Sequence, residues 1–81
     1  MFFVYIIYSK KVYKKYIGQT EYLIHRLEQH NSNYFQSYTN NKDPWELIHS
    51  ECYSTRSDAV LREKYLKSGA GRDWITFTYG I

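Results

Sequence analysis

Residues 2–8 (FFVYIIY) form a continuous apolar run of aromatic and β-branched side chains. That pattern predicts a strand, central in its sheet. Residues 9–15 (SKKVYKK) are polar and basic and read as a hairpin connection to a second short strand at 16–19 (YIGQ). A glycine inside a strand marks a bulge or a close backbone approach, so Gly18 is expected to do one or the other. Tyr5 and Tyr16 then lie on paired antiparallel strands, where side chains on one face can meet.

The period changes after Thr20. Thr20 is suited to an N-cap and Glu21 to a first turn, which predicts a helix over 21–30. Leu23, Ile24 and Leu27 make its apolar stripe, and Tyr22, Arg26 and His30 form a row beside it at i, i+4 and i+8. Residues 31–42 (NSNYFQSYTNNK) are polar and lack periodicity, giving a loop long enough to suggest a function. Asp43-Pro44 closes that loop. Residues 45–53 (WELIHSECY) partly alternate and read as a third strand, with Cys52 a small core residue. Thr55-x-x-Asp58 resembles a capping box and opens a second helix over 56–67. Gly69 suits the position after its end. Ala59, Glu63 and Leu66 share one face of that helix, which puts Glu63 on or near its buried stripe. Residues 72–79 add a short helical turn that brings Trp74 and Ile75 onto the core. The element order predicts one domain over 1–81, an α+β fold with helices packed on a small, at least partly antiparallel sheet.

Composition narrows the class. The chain has 81 residues, ten of them Tyr and only one Cys, and a formal net charge of +3. A chain this short buries only about 60% of its unfolded surface. One Cys excludes an intrachain disulfide framework and a multi-cysteine zinc site, so large aromatics must build much of the core. No apolar run approaches the ~20 residues needed to span a bilayer. The run at 2–8 lacks the basic flank of a signal peptide, and the aromatic content argues against disorder. A small, soluble, cytosolic domain is expected.

The usual catalytic signatures are missing. There is no phosphate-cradling glycine loop, no His-Glu-x-x-His pair and no support for a Ser or Cys triad. His25, His30 and His49 are poorly spaced to share a metal. What remains is a set of groups suited to phosphodiester hydrolysis: Tyr5 and Tyr16 from adjacent strands, Arg26 and His30 one helical turn apart, and Glu63 on the inward side of another helix. Such a reaction needs a base for the water, a cation for charge on the phosphoryl oxygens, and a metal or acid for the leaving oxygen. Taken singly, each residue also has an ordinary structural role: core aromatic, solvated helix charge, helix C-terminal His, partner of a Lys.

Phe3-Val4-Tyr5 followed by Tyr16-Ile17-Gly18 resembles the paired motif of the GIY-YIG nuclease superfamily. The first triplet departs at Phe3 and Val4, and the second matches in full. Arg26-Leu27-x-x-His30 is similar to the family's helix motif. Arg62-Glu63-Lys64-x-Leu66-Lys67 with Gly71-Arg72 resembles the segment carrying its metal-binding Glu, and Pro44-Trp45-x-Leu47 the third strand of small stand-alone members. Two departures stand out: no clear match to a downstream Asn over 73–81, and Gln19 where some members carry Lys.

The resemblance implies a three-stranded antiparallel sheet flanked by helices and a metal-dependent endonuclease acting on DNA. It assigns Tyr5 to acting as the general base or positioning the water, Tyr16 to binding the attacked phosphate or water, Arg26 to stabilising the transition state and His30 to assisting proton transfer or phosphate binding. It gives Glu63 one divalent cation, Mg²⁺ or Mn²⁺, at the leaving 3′ oxygen. Nearby Arg and metal charge would favour the Tyr5 phenolate. DNA binding would rest on basic residues, among them Lys14, Lys15, Arg62, Lys67 and Arg72. Tyr34, Phe35 and Tyr38 could stack unpaired bases, which favours single-stranded or branched DNA. A net charge of +3 is weak for this purpose, leaving a role for a protein partner or a homo-oligomer. The rival readings are a non-catalytic nucleic-acid-binding module that keeps the fold and an interaction domain without nucleic acid.

Overall fold

A computed structural model of the chain describes residues 1–32, 34 and 39–81. The apolar run becomes β1 (Phe2–Ser9), and the hairpin returns as β2 (Lys14–Thr20), longer at both ends than the expected strand. Then come α1 (Leu23–Asn31), β3 (Trp45–Tyr53), α2 (Arg56–Lys67) and α3 (Gly69–Tyr79). The sheet is antiparallel with order β2-β1-β3, so the most apolar strand is the central one.

Alternation along β1 sends its side chains to two faces, and each face has its own core. Val4 and Ile6 pack with Ile17, Ala59, Leu66 and Ile75 under α2 and α3. Tyr5 and Ile7 pack with Trp45, against Tyr16, Leu23, Leu27 and Leu47, under α1. The site residues of β1 and β2 thus share the α1 face. Asn31 at the end of α1 fixes that helix to the sheet: its Oδ1 accepts from the Trp45 backbone N–H and its Nδ2 donates to the Trp45 carbonyl.

The second helix has the expected bounds, and the Thr55 side chain accepts from the Asp58 N–H. Other expectations need correction. Thr20 is not the N-cap of α1. It stays in the β2 ladder, paired with Phe3, and the helix starts at Leu23 behind Tyr22, whose side chain makes no cap. Ile24 is 64% exposed, outside the stripe. Cys52 is exposed, opposite Phe3 and outside the cluster that α1 covers. Gly69 does not end a helix but begins one. Ser68 closes α2 and caps α3, its side chain accepting from the Gly71 N–H. The irregularity of the sheet lies between β1 and β3 at Ile6/Ile7, while Gly18 sits in regular register opposite Tyr5.

On the α2–α3 face of β3, Glu51 gathers three groups. Arg62 donates to both its oxygens at 2.9 and 3.0 Å, Tyr53 to Oε1, and His49 Nε2 lies 2.7 Å from Oε2. Burial alone would raise the Glu51 pKa, but the bonds from Arg62, Tyr53 and His49 outweigh it and hold the carboxyl at about 2. The Arg62 guanidinium also lies over the Tyr65 and Trp74 rings. This network ties α2 and α3 to β3.

Candidate active site

The centre of the α1 face is the Tyr5 hydroxyl, 2.9 Å from His30 Nε2. Tyr5 is 2% exposed and His30 3%, so the contact is dry. His30 is buried because it shares a helix face with Leu23 and Leu27, at i+7 and i+3 from them, rather than standing beside the stripe. Its other nitrogen, Nδ1, lies 2.9 Å from the Thr39 hydroxyl. Thr39 is 1% exposed, and its carbonyl accepts from Trp45 Nε1. The Tyr16 ring closes the group, with centroids 6.3 Å from Tyr5 and 5.0 Å from His30.

Gly18 makes this packing possible. A Cβ there would stand 2.6 Å from the Tyr5 hydroxyl oxygen and 3.1 Å from a Tyr16 ring carbon. The expected close approach is therefore real, and it is side chain on backbone: the Tyr5 ring lies across the space that any other residue would fill.

Charge reaches the centre from Arg26 and Glu63. Burial pushes the Tyr5 phenol well above its ordinary value. Tyr16 and Glu63 add to the rise, and Arg26 opposes it. The phenol is thus neutral at pH 7 in these surroundings, and added positive charge beside it would favour the phenolate. Burial, aided by the Arg26 charge, lowers the His30 pKa to about 4. His30 is therefore a neutral imidazole at pH 7, with one N–H and one lone pair.

That shift makes stability pH-dependent. An unfolded His titrates near 6.5 and the folded one near 4, so below pH 6.5 the unfolded chain binds the extra proton. Stability is complete above pH 6.5 and is lost as pH falls toward 4, by at most about 3 kcal/mol. Urea midpoints measured from pH 7 to 4 should fall in that window, and His30→Gln should flatten the slope. A wild-type midpoint that is level down to pH 4.5 would contradict this account.

Glu63 lies half-buried on α2, its Oε2 accepting from Lys67 Nζ at 2.6 Å. No group of three or more His, Cys, Asp or Glu could hold a metal among the described residues. A Mg²⁺ ion keeps several waters and takes one or two carboxylates. A single carboxylate that already attracts a cation fits an ion held largely by water.

The other expected residues divide. Lys15, Lys67 and Arg72 come together with Tyr16 and Ile17 around an open cavity of about 330 Å³. Arg26 borders a second cavity of about 260 Å³ with Gln19, Thr20, Glu21, Tyr22 and Arg56. Lys14 is exposed at the start of β2, outside both linings. Arg62 is held by Glu51, away from either cavity. Tyr34 is 64% exposed. Phe35 and Tyr38 lie outside the described residues. Thr39 is the site neighbour that sequence reasoning missed. A threonine in a polar loop carries no sign that it will fold back onto a histidine nine residues earlier.

Comparison with known proteins agrees with the fold. The sequence profile of the GIY-YIG catalytic domain matches residues 1–74. A UPF0213 protein of Haloquadratum walsbyi is 40% identical over 53 residues, covering 65% of this chain and 60% of that protein. One from Bacillus licheniformis is 36% identical over 52 residues, covering 64% of this chain and 54% of its own length. The matched stretch thus spans less than two thirds of these relatives. The solution NMR structure of a UPF0213 protein from Bacillus halodurans superposes with a TM-score of 0.57 at 24% identity, over 99% of this chain and 87% of that one. That likeness concerns the fold.

Proposed function

The chain belongs to the GIY-YIG catalytic-domain family, a nuclease-type fold, and from that premise we propose that it is a metal-dependent endonuclease of DNA. One observation carries the reading: the buried Tyr5–His30 contact, with Tyr16 beside it and Arg26 charge acting on both of its members. A buried phenol requires only a hydrogen-bond partner; here that partner is a neutral imidazole, and the charge of a guanidinium acts on both.

The roles follow from the chemistry of the groups. Tyr16 and Arg26 bind the attacked phosphodiester, Arg26 countering charge that grows on its free oxygens. The Tyr5 phenol passes its proton to His30 Nε2 and takes one from the attacking water. The hydroxide oxygen bonds to phosphorus, and the bond to the 3′ oxygen breaks with its electron pair. That oxygen then collects a proton from solvent, and His30 gives the proton it took back to solvent, which restores the site. Burial leaves the phenol a weak acid and His30 a weak base, so the two transfers must be concerted, the phenol releasing its proton to Nε2 only as it takes one from the water. Glu63 would hold a Mg²⁺ or Mn²⁺ ion, which supplies positive charge for the leaving oxygen when bound. Lys15, Lys67 and Arg72 line a groove for backbone phosphates, and exposed Lys14 precedes Lys15 in β2. Exposed Tyr34 offers a ring for an unpaired base, which favours single-stranded or branched DNA. With a net charge of +3, a protein partner or a second copy would add affinity.

Glu63→Ala tests the metal assignment. The i,i+4 pair with Lys67 contributes only about 0.3–0.5 kcal/mol, so the melt should barely change. Cleavage should fall by at least about 10²-fold and calorimetric Mn²⁺ binding should disappear. Unaltered Mn²⁺ binding would move the cation elsewhere, and a collapsed fold would make Glu63 structural.

A further inference from the structure

We propose that Thr39 is a positioning residue: its hydroxyl accepts from His30 Nδ1–H and so turns the Nε2 lone pair toward the Tyr5 hydroxyl. The inference rests on the nuclease reading for its catalytic consequence, but not for its geometry.

Two hydroxyls lie 2.9 Å from the two nitrogens of His30, Tyr5 on Nε2 and Thr39 on Nδ1. A neutral imidazole offers one proton and one lone pair, so one hydroxyl must donate and the other accept. Their chemistry decides which. A phenol is far more acidic than an alkyl hydroxyl and its oxygen is conjugated with the ring, so it is the better donor and the poorer acceptor. The alkyl hydroxyl of Thr39 is the better acceptor, and its own proton can rotate to suit. The pair therefore settles with Tyr5 donating to Nε2 and Nδ1–H donating to Thr39. In the other tautomer an N–H would point at the phenol oxygen, and His30 could take no proton from it.

Thr39 is built to hold this setting. It is 1% exposed, and its carbonyl accepts from the indole N–H of Trp45, itself 3% exposed. The Trp45 backbone is fixed in turn by both side-chain atoms of Asn31, the residue after His30. The loop residue and the helix end that carries the histidine are thus tied to the same tryptophan. When His30 takes the Tyr5 proton, Nδ1–H stays on Thr39, so no ring movement is needed. Outer partners of a functional imidazole typically matter by about 10–100-fold.

Long-range ¹⁵N–¹H correlation spectra of the intact wild-type protein at pH 7 read the tautomer directly. We expect Nδ1 protonated and Nε2 bare. A proton on Nε2 would overturn the proposal with no variant needed and irrespective of cleavage. Thr39→Val keeps the shape and removes the acceptor. It should populate the Nε2–H tautomer and lower kcat about 10–100-fold with KM little changed, and Thr39→Ser should restore both. An unchanged tautomer in Thr39→Val, or a loss that Thr39→Ser does not repair, would reduce Thr39 to a packing residue.

Discussion

Gly18→Ala is expected to lower cleavage by about 10²-fold or more while leaving every proposed catalytic side chain in the sequence. The new Cβ would lie 2.6 Å from the Tyr5 hydroxyl oxygen and 2.8 Å from the ring carbon that bears it. Tyr5 cannot swing clear. It is buried, it packs with Ile7 and Trp45, and its hydroxyl is held on His30. Retreat on one side meets Tyr16, whose ring carbon would itself be 3.1 Å from the methyl. The phenol must therefore shift off His30, and displacement on the order of 1 Å is enough to disable a positioned proton donor. Overpacking of this kind also costs about 1–3 kcal/mol of stability. A double-mutant cycle with Tyr5→Phe separates the two effects. If Gly18 acts through the Tyr5 hydroxyl, the two losses of activity should not add. Additive losses, or full activity in Gly18→Ala, would show that the close approach has no bearing on the reaction.

The largest expected effect on stability is at Gly71. A Cβ there would stand 2.1 Å from the Tyr65 carbonyl oxygen and 2.5 Å from the Leu66 Cα. Both are backbone atoms of α2, so no rotamer change relieves the overlap. Either α3 lifts from α2 or the corner at Ser68 unwinds, and both loosen Leu66 and Ile75 in the core beneath. We expect Gly71→Ala to lose about 3 kcal/mol, which lowers the melting temperature by more than about 10 °C in a domain of this size. Gly69, two residues earlier, is the control. Nothing lies within 4 Å of a Cβ at that position, so Gly69→Ala should melt near or slightly above wild type. Equal melting of the two variants would contradict this account of the α2–α3 corner.

Much of the architecture was legible in local pattern. The bounds of α2 follow from Thr55, whose cap is local, and from the spacing of Ala59 and Leu66, both buried. The central place of β1 follows from its unbroken apolar run, which only a strand covered on both faces needs. The start of α1 was not legible. Tyr22 makes no side-chain cap, while Thr20, which looks like one, is held in the ladder by Phe3. Cys52 was misplaced because apolar character says nothing about where a helix stops covering a strand.

The site was legible in part, for the same kind of reason. Tyr5 and Tyr16 share a face through strand register, and His30 joins them through its spacing from Leu23 and Leu27. The ties made across long sequence separations were not. Thr39 on His30 and Glu51 on Arg62 both depend on tertiary packing, so Arg62 reads as a free surface cation until β3 is laid beside α2.

The account stands on the claim that Tyr5, Tyr16, Arg26, His30 and Glu63 form one hydrolytic site. The most direct measurement is cleavage of single-stranded and branched DNA by wild type and Arg26→Ala, with Mg²⁺ and with Mn²⁺. The account predicts metal-dependent cleavage by the wild type, reduced by about 10²–10³-fold in the variant. No cleavage of DNA or RNA with either metal, or equal cleavage by both proteins, would contradict it. Salt-sensitive binding without cleavage would instead identify a nucleic-acid-binding module that has kept the nuclease fold.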